Sequence, residues 1–135
     1  MAPQEPTDPE GSTAMSETQR ALKPEDLTRL FVERANAGDA AGIAGLYEDH
    51  AVMAYPPGGQ TVGRDAIRQL WEKVLSAKPH FEHEAPLQAL VSGDIALCAT
   101  VAKDGAGGRA QVARRQGDGT WLRLLDLPEL VSLAK

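Results

Sequence analysis

The stretch "NAGDAAGIAGLYEDHAVMAYPPGG", residues 36–59, decides the fold because it takes the chain from helix to strand. Gly38 suits the end of a preceding helix, where a left-handed residue closes the last turn. Asp39 can cap a second, short helix that reaches Tyr47. Residues 51–55 have the composition of a strand, and the Pro-Pro-Gly-Gly run stops it. The stretch therefore predicts a helix end, a short helix and a first strand in close succession.

Longer helices are predicted on both sides of this stretch. The first runs from Pro24 to Gly38, because proline suits a first helical turn and apolar residues follow at helical spacing. The third runs from about Arg64 to Ala77. Its apolar face is formed by Ile67, Leu70, Trp71 and Val74.

Strand-like segments follow Pro79 and are separated by proline, Gly-Asp or glycine-rich turns. Gly117-Asp118-Gly119 predicts a hairpin between the last two. The segments are "HFEHE", "PLQALVS", "DIALCATVAK", "GRAQVARRQ" and "TWLRLLDL". Helices followed by antiparallel strands predict an α+β fold, with the helices on one face of a curved sheet.

The chain of 135 residues has the length and composition expected for one globular domain. Residues 1–20, rich in Pro, Glu, Ser and Thr, predict a flexible tail ahead of a single domain over residues 21–135.

The formal net charge of -5 argues against a nucleic-acid surface. No stretch approaches the ~20 apolar residues of a transmembrane helix, and the N-terminus lacks the features of a secretory signal. Because the lone Cys98 excludes an intrachain disulfide, we expect a cytoplasmic protein.

The strand predicted over residues 94–103 is semi-apolar on both faces. Small residues alternate with the large apolar residues Ile95, Leu97 and Val101. The helices can cover one face, and a second subunit can cover the other. We therefore expect a homodimer through the sheet. From the net charge and the lack of a transmembrane stretch, we expect no nucleic-acid or membrane partner.

Residues 36–59, followed by "VGRDAIRQLW" at 62–71, resemble the nuclear-transport-factor-2-like superfamily, in its SnoaL-like and ketosteroid-isomerase-like branch. The resemblance covers residues 24–128. It implies a cystatin-like, cone-shaped fold, in which a strongly bent mixed sheet wraps around three helices and a ligand pocket opens into the cone. It also implies dimerisation through the sheet, as in many members. Since this fold carries isomerases, cyclases, hydrolases, dehydratases and association modules, fold alone does not give function.

The residues that the ketosteroid isomerase mechanism requires are replaced in this chain. That mechanism uses a carboxylate base beside a carbonyl, and a tyrosine and a protonated acid that stabilise the oxyanion. By the resemblance, the family tyrosine falls on Phe31, the base on Tyr55 and the second acid on or close to Gln111. Phenylalanine cannot donate a hydrogen bond, and neutral tyrosine is a poor base. We therefore do not expect an isomerase that uses this mechanism.

One acid, Asp126, stands among the leucines of "WLRLLDLPEL", residues 121–130. Strand alternation places Asp126 on the concave side with Leu122 and Leu124, and predicts an outer face formed by Trp121, Arg123 and Leu125. A carboxylate is costly to bury unless it is paired. Asp126 is then either a catalytic base or ligand contact, as on the sheet of SnoaL-like cyclases, or a structural acid. The structural acid would accept backbone N–H groups or pair with an arginine such as Arg34.

The segment "HFEHE", residues 80–84, offers a second catalytic candidate. Alternation puts His83 on the face of Phe81, so that His83 is the best proton-transfer partner for Asp126 if this face points inward. A core or rim histidine is the alternative. The two glutamates of the segment and His80 face the opposite way from His83. No metal site is therefore predicted, and no cofactor is expected.

The expected pocket is apolar and partly aromatic, and it would bind a small apolar or partly polar molecule. The leading hypothesis is a cofactor-free acid–base isomerase, cyclase or dehydratase of a polyketide-like or steroid-like compound, with Asp126 and His83 as catalytic residues. The alternatives are a non-catalytic ligand-binding domain and a dimerisation module, and the sequence leaves the choice open. The residues predicted to line the pocket are Phe31, Tyr47, Met53, Tyr55, Trp71, Gln111 and Leu124.

Overall fold

The computed structural model describes residues 19–101 and 107–129. Residues 1–18, which make up most of the predicted tail, lie outside the described residues, as do residues 102–106 and 130–135. The described part contains three helices and six strands, which confirms the α+β class. None of these helices is long and apolar enough to cross a bilayer.

The structure contains the predicted end of the first helix and the predicted cap of the second. Gly38, with a φ of 72°, follows the first helix in the left-handed conformation. Asp39 caps the second, since its Oδ1 accepts a hydrogen bond of 2.8 Å from the backbone N–H of Gly42. The helices are α1 (Asp26–Asn36), α2 (Ala40–Ala44) and α3 (Arg64–Leu75).

Helix α2 is shorter than predicted. It ends at Ala44, and Tyr47 opens the first strand instead of closing the helix. The glycine inside the Ala-Ala-Gly-Ile-Ala sequence of α2 lowers its helix propensity, and Tyr47 is fully buried in the core. Helix α3 ends at Leu75, two residues before the predicted Ala77.

The strands form one curved, open, mixed sheet in the order β2-β1-β6-β5-β4-β3. Strands β1 and β6 are parallel, and the other neighbouring pairs are antiparallel. This parallel pairing brings the first and last strands together in the interior of the sheet. The strands are β1 (Tyr47–Met53), β2 (Thr61–Val62), β3 (Leu90–Ser92), β4 (Ile95–Val101), β5 (Gly108–Arg115) and β6 (Trp121–Leu127).

The helices cover one face of the sheet, called the inner face here, and leave the outer face open. On β4 the buried small side chains Ala96, Cys98 and Thr100 lie on the inner face. The large apolar side chains of β4 alternate with them and are 39–54% exposed on the outer face: Ile95, Leu97 and Val101. The largest fully buried side chains of the core are Leu27, Leu30, Ile43, Tyr47, Met53 and Ile67.

The prediction of a strand over residues 80–84 is wrong, because this segment is irregular. The side chain of Asn36, at the end of α1, satisfies the backbone of Phe81 in place of a strand neighbour. Asn36 Oδ1 accepts a 2.8 Å hydrogen bond from Phe81 N, and Asn36 Nδ2 donates one of 2.9 Å to Phe81 O. Of the next predicted strand, only β3 forms, together with a bridge between Pro86 and Thr100.

Candidate functional site

Strand β6 carries one more residue than β5 at its centre. Arg123 is opposite Ala113, whereas Leu125 is opposite Val112, so the ladder skips Leu124. An extra residue of this kind is a β-bulge, and it reverses the alternation of side chains beyond it.

Because of the bulge, Arg123 and Asp126 lie on the same, inner face, where they are 4% and 5% exposed. The inward orientation predicted for Asp126 is confirmed. The prediction that Trp121 and Arg123 lie on the outer face is wrong, since both are buried. Leu124, predicted to line the pocket, is the bulged residue and is half-buried.

Asp126 belongs to a row of inner-face side chains that crosses four strands. Gln111 lies opposite Asp126, and Cys98 lies opposite Gln111. Met53 is the neighbour of Asp126 on the parallel strand β1. All four side chains are buried, so the predicted site residues Gln111 and Met53 do lie beside Asp126.

Hydrogen-bond donors surround the carboxylate of Asp126. Tyr47 Oη donates a 2.5 Å hydrogen bond to Oδ2, and Gln111 Nε2 donates one of 3.1 Å to Oδ1. Arg123 Nη1 lies 3.8 Å from Oδ2 and 3.4 Å from Tyr47 Oη. Burial, reinforced by the negative charge of Asp126, raises the pKa of Tyr47 far above its ordinary value, so that the hydroxyl remains a donor.

The arginine that pairs with Asp126 is Arg123 and not Arg34. Arg34 lies near the end of α1, where its Nη1 donates a 2.7 Å hydrogen bond to Gly42 O and its Nη2 one of 2.5 Å to Gln19 O. The interpretation of Asp126 as a paired acid therefore has direct geometric support. A reactive Asp126 would have Tyr47 and Gln111 as its neighbours.

Arg123 contacts two aromatic rings. Its Cζ lies 5.6 Å from the ring centroid of Phe31 and 5.8 Å from that of Tyr47. Its Nε is buried and has no acceptor among the described residues. A buried donor without a partner costs about 1–3 kcal/mol. No site role for Arg123 was predicted, and its only signal in the sequence is an arginine within a run of leucines.

Phe31, Trp71 and Phe81 form a cluster of edge-to-face rings, called the ring cluster here. Phe31 lies 5.1 Å from Trp71 and 5.8 Å from Phe81, and Trp71 lies 6.0 Å from Phe81, between ring centroids. All three rings are half-buried. The indole Nε1 of Trp71 is buried without an acceptor in the described part of the chain.

The irregular segment that carries Phe81 is also fixed to the sheet. Glu84 forms a bidentate pair with Arg109 of β5, with Nε–Oε1 and Nη2–Oε2 distances of 2.9 and 2.8 Å. Arg109 Nη1 donates to Pro128 O at 2.9 Å. The pair therefore ties the segment beside the ring cluster to the strands that carry Gln111 and Asp126.

Two predicted site residues, Tyr55 and His83, lie apart from the polar group around Asp126. Tyr55, just beyond β1, is 38% exposed. His83 is exposed, and no contact in the described ranges joins it to Asp126. The strand alternation predicted for His83 does not occur, because its segment is not a strand.

Other chemistries receive little support from the described side chains. Burial raises the pKa of the Cys98 thiol, which disfavours a nucleophilic thiolate. Within residues 19–101 and 107–129, no group of three or more His, Cys, Asp or Glu side chains is placed to hold a metal ion.

The described residues form cavities on both sides of the sheet. One of about 660 Å³ lies between the end of α1, α2 and the start of β6, with Arg34, Asp39 and Trp121 in its lining. Another, of about 320 Å³, is lined by outer-face residues such as Leu97 and Leu125 and adjoins the strands that carry Gln111 and Asp126.

Comparison with known proteins connects this architecture with one family. A family profile described as a SnoaL-like domain matches residues 28–123. None of the curated proteins compared with the chain matches it significantly.

Solved structures share the fold at low sequence identity. An NTF2-like protein with a cystatin-like fold from Novosphingobium aromaticivorans is 22% identical, with a TM-score of 0.63 over 82% of this chain and 80% of that one. A putative calcium/calmodulin-dependent protein kinase type II association domain from Thiobacillus denitrificans is 18% identical, with a TM-score of 0.64 over 84% and 99%. A ketosteroid isomerase-like protein from Erwinia carotovora atroseptica is 15% identical, with a TM-score of 0.59 over 80% and 94%. At these identities the likeness concerns the fold.

Proposed function

Because the chain belongs to the SnoaL-like domain family, we propose that it binds a small, largely apolar molecule at the inner face of its sheet. The observation that carries the proposal is the ring cluster beside a buried ionic group. Phe31, Trp71 and Phe81 are only half-buried, and Phe31 also contacts Arg123, the counter-charge of Asp126. Apolar surface with a few fixed polar groups is the usual lining of a small-molecule site.

Titration of the full chain with 2-acetylnaphthalene tests this proposal. We expect saturable one-to-one binding in solution NMR. Phe31→Leu should weaken it by about 1 kcal/mol, roughly fivefold, because an aromatic contact is lost. Leu97→Ser, on the outer face, is the matched control and should leave the affinity unchanged. Loss of binding in Leu97→Ser alone would place the probe on the outer face and contradict the proposal.

Acid–base chemistry at Asp126 is the second candidate function, because the hydrogen bonds from Tyr47 and Gln111 hold this buried carboxylate in a fixed position. A positioned carboxylate can move a proton beside a carbonyl, as an isomerase, cyclase or dehydratase of a polyketide-like or steroid-like compound requires. Exchange of the acetyl protons of 2-acetylnaphthalene in D₂O reports this step directly. We expect Asp126→Asn to abolish any acceleration and the exposed Asp49→Asn to retain it. Binding without accelerated exchange would support the non-catalytic ligand-binding domain.

We also propose that the outer face packs against a second copy of this chain. Leu97, Val112 and Leu125 are neighbours across three strands, and Leu97 and Leu125 are exposed. The arginines near this face are engaged within the chain, with Arg114–Glu48 and Arg115–Asp94 distances of 2.9 Å each. The face thus offers apolar surface, which an identical copy complements under twofold symmetry. The same fold occurs in the structure named as an association domain.

A further inference from the structure

One ring of the ring cluster is carried by a segment without regular secondary structure. This segment, residues 79–84, follows α3 and is called the strap here. Its Phe81 lies 5.8 Å from Phe31 and 6.0 Å from Trp71 between ring centroids. The indole Nε1 of Trp71 is shielded from solvent. Movement of the strap would therefore remove one wall of the cluster and expose the other two rings.

Side chains, and not backbone pairing, hold the strap in place. Within the described part of the chain, residues 79–84 make no backbone–backbone hydrogen bond. The side chain of Asn36 binds the N–H and C=O of Phe81 through two solvent-exposed hydrogen bonds. The carboxylate of Glu84 forms its bidentate pair with Arg109. Because segments held by few, exposed hydrogen bonds open at a lower free energy than the core, the strap can detach while the sheet stays folded.

The two ends of the strap are suited to act as hinges. Lys78, just before it, has a φ of 53°, in the left-handed region that is unfavourable for a residue with a Cβ. Opening lets Lys78 return to an ordinary conformation, which lowers the free energy of opening. Beyond the other end, Pro86 rejoins the sheet through its bridge to Thr100. The moving part is thus confined to the residues between Lys78 and Pro86.

The contacts of the strap lead to the buried acid on the inner face. Phe31, against which the ring of the strap packs, contacts Arg123 at 5.6 Å from Cζ to the ring centroid. Arg123 in turn lies 3.8 Å from the carboxylate of Asp126. Arg109, the ion-pair partner of the strap, also donates to the carbonyl of Pro128, two residues after Asp126. Opening of the strap would therefore uncover the inner face beside Asp126.

We propose that the strap is a gate: release of its contacts with Asn36 and Arg109 lets it move away from the ring cluster and admits a ligand to the inner face. This inference rests on the proposed ligand-binding function and adds the step that controls entry. Neither of the two cavities described above is lined by the ring cluster, which is the arrangement expected of a closed gate. Because the strap closes in the same way with and without ligand, its contacts set the rates of binding and not the affinity.

Hydrogen exchange of the Trp71 indole N–H measures opening of the strap directly. The chain contains two tryptophans, so the spectrum of Trp121→Phe assigns the indole signal of Trp71. Glu84→Gln removes the charge that holds Arg109, and we expect it to speed this exchange on the order of tenfold. Asn36→Ala removes the other fastening of the strap and should have an effect of similar size.

The matched control is Glu48→Gln, which weakens an ion pair away from the strap. The side chains of the Arg114–Glu48 pair are 45% and 17% exposed, against 41% and 15% for the Arg109–Glu84 pair. Exchange that requires unfolding of the whole sheet should respond to both variants, because each loses an ion pair of the folded state. Exchange through the strap should respond to Glu84→Gln alone. Equal acceleration in both variants, or acceleration in neither, would overturn the gate.

Stopped-flow mixing of the full chain with 2-acetylnaphthalene tests whether this opening controls binding. We expect Glu84→Gln to raise the association and dissociation rates together, by the same factor as the indole exchange, with an unchanged Kd. Glu48→Gln should retain both wild-type rates. Unchanged rates in Glu84→Gln, with binding intact, would overturn the gate and leave the binding function standing. Absence of binding in the wild type and in every variant would overturn the binding function itself, and the gate with it.

Discussion

The hydroxyl of Tyr47, the first residue of β1, donates a 2.5 Å hydrogen bond to Asp126, the penultimate residue of β6. The two residues are not direct neighbours in the ladder, since Tyr47 lies opposite Arg123 and Met53 lies opposite Asp126. The tyrosine side chain thus reaches along the strand to the acid. Together with Arg123 and Gln111, the pair forms a buried polar group on the inner face of the sheet.

Removing the charge of Asp126 should be more destabilising than removing the hydroxyl of Tyr47. Asp126→Asn leaves Arg123 buried without its counter-charge, and we expect a loss of about 3–5 kcal/mol in the free energy of unfolding. Tyr47→Phe removes one hydrogen bond and should cost about 1–3 kcal/mol. Urea denaturation at pH 7 measures both. The exposed Asp49→Asn, which breaks a surface pair with Arg64, should cost less than about 1 kcal/mol, and an Asp126→Asn effect of that size would contradict the prediction.

The protein should lose stability in alkaline solution because of Tyr47. Burial, followed by the charge of Asp126, raises the folded-state pKa of this hydroxyl. The resulting stabilisation is complete below the unfolded pKa near ~10 and is lost as the pH rises further toward the folded value. The free energy of unfolding, measured by urea denaturation at pH values between 8 and 11, should therefore fall less steeply with pH for Tyr47→Phe than for the wild type. Parallel curves would show that Tyr47 ionises equally readily in the folded and unfolded chain.

Glu48 should make the opposite contribution in acid. The hydrogen bond from Arg114, together with one from Gln116, lowers the pKa of Glu48. Its stabilisation is present above the unfolded pKa near ~4.3 and disappears as the pH falls through the lower folded value. Glu48→Gln should be less stable than the wild type at pH 7, and the difference should vanish toward pH 3. A difference that persists at pH 3 would assign the effect to packing instead of charge.

The outer face should control the oligomeric state. Replacing Leu97 or Leu125 by serine removes apolar surface from the proposed interface, so sedimentation equilibrium should change from dimer to monomer. Leu22→Ser is the control, because Leu22 is 72% exposed and precedes α1. A wild-type chain that sediments as a monomer at micromolar concentration would refute the interface.

The local signals in the sequence predicted most of the fold. The glycine after α1, the Asp39 cap and the alternation along β4 each depend on neighbouring residues only, and each is found in the structure. The segment containing His83 was predicted wrongly for a non-local reason. Asn36, far away in the chain, binds the backbone of Phe81 and keeps this segment out of the sheet.

The candidate site was only partly predictable. The inward orientation of Asp126 was predicted correctly although its premise, an outward Arg123, is wrong, because the bulge lies between the two residues. The family resemblance predicted Gln111 as a site residue, and its position beside Asp126 is seen only in the structure. Arg123 was assigned to solvent because a bulge cannot be recognised from a uniform run of leucines. The partnership of Tyr47 with Asp126 depends on the parallel pairing of β1 and β6, which nothing local in the sequence specifies.

The bulge at Leu124 determines how the buried Arg123–Asp126 pair could be transferred to another protein scaffold. On a regular strand, an arginine and an aspartate three positions apart face opposite ways, and a designer would choose a spacing of two. Here the correct template is Arg-x-x-Asp on a strand whose neighbour is one residue shorter. Grafting the side chains without that length mismatch would send the arginine to solvent and leave the acid alone in the core.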